Sequence, residues 1–296
     1  MAENDAGWNL FPVGESSFAN IIEGNGVYVD KTGLIHDLIS GPWTSVPYFL
    51  SRPRRFGKTL LLDTIQLIFE GQRDLFSGLE IERRLGDRWD TFPVIRLSFS
   101  DTDPDKDDFE PSLLASIKRE AMDNAIVIDA ANPSTAIADL IRDLSRIHVS
   151  SWQKQGKDLR LLRRGNVVLL IDEYDFPLIG NIGFPERHDK IRLTLRKFYS
   201  SIKSCSNRLR FVFITGITKF RQLSLFSSMN TTEDISLDER FATICGFTKK
   251  DINTYFLKYF ASTVSALKRK GQLNDDATPD DLLEKMMKWY NGYTWD

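Results

Sequence analysis

The sequence SRPRRFGKTLLL, residues 51–62, follows an apolar run at 46–50 and precedes a helical pattern of apolar residues. The run predicts a buried strand, and Gly57-Lys58-Thr59 is the second half of a phosphate-binding loop. In such a loop, backbone N–H groups and the start of the following helix bind an anionic phosphate. Lys58 would contact the β- and γ-phosphates from a partly exposed position, and the Thr59 hydroxyl would bind Mg²⁺. The stretch therefore predicts a nucleotide-binding strand–loop–helix unit.

The front of this loop departs from the usual pattern G-x-x-x-x-G-K-[ST], because Arg52 stands where the first glycine is expected. Pro53 fixes its own φ and favours extended geometry at Arg52, so the loop must turn differently at its start. The same residues could form an ordinary basic surface loop that enters a helix. A second segment of the chain favours nucleotide binding.

That second segment is an apolar run at 167–171 that ends in Asp172 and Glu173. It predicts a buried parallel strand, because both faces are apolar. Carboxylates at the C-terminal end of such a strand lie where open α/β sheets bind ligands. Asp172 would hold Mg²⁺ through its water shell, and Glu173 would polarise the attacking water as general base. The two acids could also simply end a strand, but their presence together with Gly-Lys-Thr favours a nucleotide site.

Composition places the chain among globular proteins. Its 296 residues are 42% hydrophobic and 27% charged, and the length predicts one large or two smaller domains. The formal net charge of −2 gives no overall attraction to nucleic acid or membranes. We expect a cytoplasmic protein, because no long apolar run predicts a membrane span and no leader pattern predicts secretion. Cys205 and Cys245 suit reduced thiols.

The rest of the chain alternates strand and helix patterns. Asp30 or Thr32 would cap the first long helix, and Thr248 would cap the first helix of an all-helical remainder. The acid-rich stretch 101–110 predicts a solvated loop rather than a metal site, because its spacing fits no calcium loop. The further strands are predicted at 27–29, 92–100 and 210–216, and the further helices at about 32–40, 110–125, 134–155 and 186–204.

The strand at 210–216 offers a third candidate for the site. Thr215 lies at its tip, and Thr218 and Lys219 follow closely. In one large class of P-loop ATPases, a strand lies between the P-loop strand and the acidic strand, and a polar residue at its tip senses the γ-phosphate or positions the water. Thr215 is therefore a candidate catalytic residue. Threonine is also common at strand ends, and the sequence leaves both interpretations open.

Seven motifs, taken together, resemble those of the bacterial and archaeal AAA-ATPase-like family, in which such a module is commonly followed by a PD-(D/E)XK nuclease-like domain. They are, in chain order, YVDKT (28–32), SRPRRFGKTLLL (51–62), LLIDEYDFPL (169–178), FITGITKF (213–220), SLFSSMNTTEDISLD (224–238), CGFT (245–248) and WYNGY (289–293). The resemblance implies an α/β P-loop NTPase fold with a mainly parallel sheet flanked by helices and a partial C-terminal helical lid. The ATPase-like domain would span 1–246 and the beginning of the lid 247–296.

By position, Lys58 and Thr59 match the family's phosphate and magnesium residues, and Asp172 and Glu173 match its acidic pair. The Arg-Pro-Arg-Arg form of the loop looks like the family's own variant, and the arginines in it suggest a role of their own. Arg54 or Arg55 would contact phosphate directly, or would pair with acids such as Asp172, Glu173 or Asp175. The candidate residues for binding ATP are Arg54, Arg55, Phe56, Gly57, Lys58, Thr59 and Leu60, those for Mg²⁺ are Thr59 and Asp172, and those for catalysis are Glu173 and Thr215.

Three functions fit this set of residues. The first is a switch that binds ATP and Mg²⁺, hydrolyses ATP slowly and regulates an attached or partner effector, such as a nuclease-like domain or protein. The second is a nucleotide-binding interaction module without useful turnover, because the loop front is altered and no arginine finger is obvious. The third is a nucleic-acid-binding protein whose Arg52, Arg54 and Arg55 contact a phosphate backbone. An oligomer is possible, and no membrane partner is expected.

The end of the chain differs from the family's usual organisation, because relatives continue beyond WYNGY whereas this chain ends at Asp296. No E/D-x-K pair on a strand pattern follows the motif, so we expect no DNA-cleaving activity in these residues. The apolar positions of 249–290 would pack on the ATPase core and begin the lid. Ending the chain here would leave part of that face exposed.

Overall fold

The structure is a computed structural model, and it describes residues 10–41, 46–102, 109–219 and 232–290. Within these ranges, five strands form a single sheet in the order β2-β3-β4-β1-β5, and every neighbouring pair is parallel. Helices cover both faces of this sheet, so the predicted α/β fold with a parallel sheet is confirmed. The strands are β1 (Tyr48–Ser51), β2 (Val94–Ser98), β3 (Val167–Asp172), β4 (Leu209–Gly216) and β5 (Glu233–Asp234).

The predicted long helices are present within a few residues of their expected bounds. One prediction is wrong, because residues 27–29 form no strand. Val27 N donates to Leu10 O (2.8 Å), but this contact belongs to an isolated bridge between Leu10 and Gly26. The helices are α1 (Phe18–Glu23), α2 (Thr32–Ile39), α3 (Lys58–Glu70), α4 (Glu80–Leu85), α5 (Phe109–Asp123), α6 (Pro133–Lys154), α7 (Phe176–Ile179), α8 (Pro185–Ser204), α9 (Lys249–Tyr255), α10 (Leu257–Arg269) and α11 (Pro279–Tyr290).

The order of the strands brings the predicted site residues to one edge of the sheet. β4 lies between β1 and β3, as expected for the strand that carries Thr215. Leu50 is in register with Thr215, and Ile171 with Ile214. Because all strands are parallel, their carboxyl ends share one edge. The loop after β1, the acids at the end of β3 and Thr215 therefore lie side by side.

Two hydrophobic cores hold the sheet, because successive strand residues face opposite sides. Leu169 and Ile171 belong to the core shared with α5, α6 and α8. Leu170 belongs to the opposite core, where it is joined by Leu62 and Ile65 of α3. Burial of both faces explains why the strands read as continuous apolar runs. It also fixes α3, and with it the preceding loop, against the sheet.

A partly buried acid lies where β2 meets the end of α5. Arg96 N donates a hydrogen bond to Glu120 Oε1 (3.2 Å). Burial raises the pKa of Glu120 to about 7, although this hydrogen bond opposes the shift. The carboxyl group is therefore protonated in the folded protein over a pH range in which it is ionised in the unfolded chain.

We expect Glu120→Gln to stabilise the protein at pH 8 and to have little effect at pH 4. The folded state holds a proton on Glu120 up to about pH 7 and the unfolded state only to about 4.5, so stability falls as the pH rises between these values. Glutamine keeps the acceptor oxygen and removes the charge. The gain in unfolding free energy from urea titrations should grow by about 3 kcal/mol between pH 4 and pH 8. A difference in unfolding free energy between the variant and the wild type that did not change with pH would contradict the raised pKa of Glu120.

Candidate functional site

The loop after β1 enters α3 through Gly57, which has a φ of +83° and is the N-cap of the helix. A glycine suits this left-handed position because side chains disfavour it. Leu61 N donates to Gly57 O (2.9 Å), so the preceding amides of Lys58, Thr59 and Leu60 have no acceptor within the helix. These amides and the dipole of a 13-residue helix make this end of α3 suitable for an anion.

Lys58 folds back into the loop instead of extending from it. Its Nζ donates to the carbonyl oxygens of Arg52 (2.9 Å) and Pro53 (3.0 Å). The residue is 6% exposed, so the expectation that it is partly exposed is wrong, because these carbonyl groups enclose the ammonium. Burial lowers the pKa of Lys58 below its ordinary value, and neighbouring acidic groups, Asp172 foremost, oppose the shift. The ammonium is thus the central positive charge of the loop.

The carboxylate of Asp172 connects three parts of the site. Its Oδ2 accepts a hydrogen bond from Thr59 Oγ1 (2.7 Å), and its Oδ1 accepts one from Thr215 Oγ1 (2.5 Å). Asp172 is 3% exposed and lies at the end of β3. The structure therefore brings together the start of α3, the acidic strand and the tip of β4. It places both predicted magnesium residues, Thr59 and Asp172, in direct contact.

The backbone turns sharply at Glu173, directly after β3. Its φ of +51° is uncommon for a residue other than glycine. The turn is held by hydrogen bonds from Tyr174 N to Thr215 O (3.0 Å) and from Phe176 N to Glu173 O (2.9 Å). Backbone conformations of this kind persist where their surroundings fix them, and they concentrate at functional sites. Glu173 is half-buried beside Asp172 in the sequence and in space, since its N–H donates to Asp172 Oδ1 (3.0 Å).

Arg52, at the position of the missing glycine, anchors the front of the loop. It is 1% exposed, and its Nη1 donates to the carbonyl oxygens of Ser51 (3.0 Å) and Ser236 (2.6 Å). Its Nη2 donates to Ala242 O (3.4 Å), and Ser51 N donates to Ser236 Oγ (2.8 Å). The guanidinium thus joins the loop to the segment that follows β5. This role was not predicted from the sequence, although an arginine in place of a loop glycine was its signal.

Arg54 and Arg55 lie exposed between this anchor and Gly57. No hydrogen bond or ion pair involves either guanidinium within the part of the chain that the structure describes. In the described residues, the two arginines therefore do not pair with nearby acids, and that alternative is wrong. Arg55 has a φ of +66°, and the ring of the next residue, Phe56, lies against Gly246. The two arginines are free to contact a ligand.

The two candidate threonines at the tip of β4 have different partners. Thr215 contacts Asp172, whereas Thr218 contacts the fully buried Asp175. Asp175 Oδ2 accepts from Ile217 N (2.9 Å), Thr218 N (2.7 Å) and Thr218 Oγ1 (2.6 Å). Thr218 therefore fixes the turn after β4, and Thr215 is the threonine that faces the acidic strand. This role of Asp175 was not predicted from the sequence.

The CGFT segment, 245–248, flanks the loop on the side of the C-terminal helices. Burial raises the pKa of the Cys245 thiol to about 12, against the opposing effect of Arg52. Thr248 is the N-cap of α9, as predicted, and forms a capping box with Asp251. Asp251 Oδ2 also accepts a hydrogen bond from Lys31 Nζ (2.6 Å). The YVDKT motif is thereby joined to the first helix of the C-terminal part.

Some sequence expectations lie outside the described residues. These include most of the acid-rich stretch 101–110, most of SLFSSMNTTEDISLD and the end of WYNGY. Among the residues that are described, no group of three or more His, Cys, Asp or Glu side chains is arranged to hold a metal. No helix in the described ranges combines the length and apolar character needed to cross a membrane.

Comparisons with known proteins agree with the resemblance seen in the motifs. A family model described as "Predicted AAA-ATPase" matches residues 12–226. The chain is 36% identical over 291 residues to a protein of Azotobacter chroococcum mcd 1 named "Uncharacterized protein in vnfD 5'region". This match covers 96% of the chain and 48% of the relative, so the chain spans about half the length of the curated relative that it matches. No solved structure matches the chain.

Proposed function

This chain belongs to the family of predicted AAA-ATPases, and we propose that it binds ATP with Mg²⁺ and hydrolyses it slowly as a switch. The observation that carries the proposal is the contact of Thr59 and Thr215 with Asp172, next to the loop that encloses Lys58. A hydroxyl at the start of a helix, a buried carboxylate and an ammonium at one sheet edge are the groups that phosphoryl transfer requires.

The donor groups suit a polyphosphate and a hard cation. Mg²⁺ prefers oxygen ligands and is usually bound by one or two protein groups together with phosphates and water. The Thr59 hydroxyl and the Asp172 carboxylate would hold it, and the ion would neutralise charge on the terminal phosphates. The amides at the start of α3 and the Lys58 ammonium would bind the phosphate oxygens.

Glu173 and Thr215 would take part in hydrolysis. Glu173 would accept the proton of the water that attacks the γ-phosphorus, while ADP leaves with the electrons of the broken P–O bond. Thr215 would orient the Asp172 carboxylate through their hydrogen bond. Two turn hydrogen bonds fix the backbone at Glu173, so the direction in which its side chain leaves the backbone would be defined.

The state of the nucleotide would reach an effector through the segment after β5. Arg52 connects the loop to Ser236 and Ala242, and Lys31 connects the N-terminal part to Asp251 of α9. A conformational change in the loop would therefore be transmitted to the beginning of the C-terminal helices. We propose that 1–246 form the ATPase-like domain, that 247–296 begin a helical lid, and that the effector is an attached nuclease-like domain or a partner protein.

Phosphate release by the purified chain tests this proposal. We expect slow release from ATP that requires Mg²⁺. Saturable ATP binding without any release would instead favour an interaction module. Binding to DNA that weakens steeply with salt would favour nucleic-acid recognition, although burial of Arg52 leaves only Arg54 and Arg55 of the three loop arginines for that role.

We propose that Arg54 and Arg55 contact the phosphates. Replacing both by glutamine should weaken ATP binding about tenfold, because charge-assisted hydrogen bonds to phosphate would be lost. Thermal stability should stay nearly constant, since both side chains are exposed. Arg142→Gln and Arg146→Gln, which remove two exposed arginines of α6, are the matched control. An unchanged ATP affinity in the loop variant would exclude these phosphate contacts.

A further inference from the structure

Positive charge is concentrated at the edge of the sheet opposite the candidate nucleotide site. Residues 152–164 and 201–210, which we call the basic edge, carry eight lysines and arginines and a single acidic residue, whereas the whole chain has a formal net charge of −2. The acidic residue, Asp158, is paired with Arg160 (2.8 Å). The remainder of the chain is therefore acidic. The eight cations are Lys154, Lys157, Arg160, Arg163, Arg164, Lys203, Arg208 and Arg210.

The fold brings the two segments of the basic edge together. Short 3₁₀ helices, Leu159–Arg164 and Ser206–Arg208, lead into β3 and β4. Asn166 N donates to Arg208 O (2.9 Å). Gly165 packs so closely on the start of β4 that an added Cβ would lie 2.8 Å from the backbone nitrogen of residue 210. Because β3 and β4 are parallel, both segments lie at the amino edge of the sheet, about 20 Å from the acids that end β3.

Two cations of the basic edge are held on buried aromatic rings. Lys157 Nζ lies 4.9 Å from the centre of the Trp152 ring, and the Arg210 guanidinium lies 5.1 Å from the centre of the Phe92 ring. The two rings are neighbours, with centroids 6.2 Å apart, and they are only 2% and 7% exposed. Cation–π contacts of this kind restrict the charged groups. The cations are therefore positioned before any ligand binds.

Arg210 and Arg164 are close enough to repel each other. Burial lowers the pKa of Arg210, the positive charge of Arg164 lowers it further, and Asp90 opposes the shift. The near approach of the backbone at Gly165 to the start of β4 brings the two arginines together. An anion bound to both guanidinium groups would offset this repulsion.

The local structure accounts for only some of these charges. Lys154 and Lys203 lie in the last turns of α6 and α8, where a cation complements the helix dipole. The same reason does not apply to the arginines of the turn before β3. Lys154, Arg163 and Lys203 are exposed, and no hydrogen bond or ion pair engages them within the described residues. These three side chains can therefore contact a partner.

The exposed part of the basic edge suits nucleic acid better than an acidic protein. The centres of protein–protein interfaces are poor in charged residues and rich in accessible aromatic rings. Here Trp152 and Phe92 are covered, and Leu161 is the one exposed large apolar side chain in the two fully described segments. Interfaces with DNA are polar and strongly positive. Because the rings cannot stack on unpaired bases, the surface fits a duplex rather than a single strand.

We propose that the basic edge binds the phosphate backbone of duplex nucleic acid without selecting a base sequence. Contacts to phosphates supply affinity and carry no sequence information. The surface lies at the opposite edge of the sheet from Lys58 and is separate from the loop arginines Arg54 and Arg55. The inference thus goes beyond the proposed ATP switch and does not depend on it.

Fluorescence anisotropy with short DNA and RNA duplexes of the same arbitrary sequence tests the proposal. The wild-type chain should bind with an affinity that falls steeply as salt is added. Replacing Lys154, Arg163 and Lys203 by glutamine should weaken binding at least about tenfold and reduce the salt slope by up to about three, since each lost phosphate contact removes about one. Loss of binding to either duplex supports the proposal, and the tighter duplex in the wild type identifies the source of the backbone.

A matched variant, Arg142→Gln with Lys190→Gln and Arg192→Gln, removes as many cations from α6 and α8. These residues lie about three turns or more before the ends of the two helices, so duplex affinity should be nearly unchanged. An equal loss in this variant, or in Arg54→Gln with Arg55→Gln, would overturn the inference. So would absence of duplex binding at low salt, or equally tight binding of poly-aspartate. All of these outcomes leave the proposed ATP site standing.

Discussion

Lys58→Ala is expected to reduce the affinity for MgATP by about 100-fold or more. The substitution removes the central ammonium of the loop and its charge-assisted hydrogen bonds to phosphate. It also leaves the carbonyl groups of Arg52 and Pro53 without the donor that they share. Titration calorimetry with ATP and Mg²⁺ measures the loss directly.

Because Lys58 is buried, this prediction needs a control for folding. Lys58→Met fills nearly the same volume and removes the charge together with the N–H donors, so it should lose the same affinity as Lys58→Ala with a smaller effect on thermal stability. Circular dichroism and thermal unfolding would show that both variants keep the fold. A folded variant of either kind with wild-type affinity would contradict the assignment of the phosphate-binding loop.

Glu173→Gln should bind ATP normally and release phosphate at least about a hundredfold more slowly. Glutamine keeps the size of the side chain but cannot accept the proton of the attacking water. A positive φ is equally unfavourable for glutamate and for glutamine, so the substitution should not alter the turn. Single-turnover phosphate release, with ATP affinity measured in parallel, separates the chemical step from binding.

Asp172→Asn is the variant to compare with Glu173→Gln, because it should impair nucleotide binding, which precedes hydrolysis. Asp172 accepts hydrogen bonds from Thr59 and Thr215 and would hold Mg²⁺, so its amide should weaken Mg²⁺-dependent binding itself. If Glu173→Gln turned over ATP at the wild-type rate, Glu173 would not be the base. If Asp172→Asn kept magnesium-dependent binding, the acidic strand would not hold the metal.

The fold was largely predictable because its strands are buried on both faces. Runs such as 167–171 and 211–214 are apolar throughout, and the structure places both within central strands of a parallel sheet. The prediction failed at 27–29, a short apolar run that follows an isolated bridge between Leu10 and Gly26 and forms no ladder. β5 has two residues, which is too short for an alternating or continuous pattern to indicate a strand.

The placement of the candidate site residues was predictable where a local motif marks them. Gly57-Lys58-Thr59 and Asp172 are recognisable from short stretches, and the parallel sheet then brings Thr59 and Asp172 into contact. The anchoring role of Arg52 was not predictable, because its acceptors at 236 and 242 are distant in the sequence. The burial of Lys58 was not predictable either, because it depends on how the loop turns to place the carbonyl groups of Arg52 and Pro53 around the ammonium.

The central claim is that this loop and the acidic strand form one nucleotide site, and titration of the wild-type chain with ATP tests it most directly. We predict a single saturable site whose affinity falls when Mg²⁺ is removed, because Thr59 and Asp172 would hold the ion against the phosphates. A folded chain that shows no saturable binding of ATP in the presence of Mg²⁺ would contradict the account.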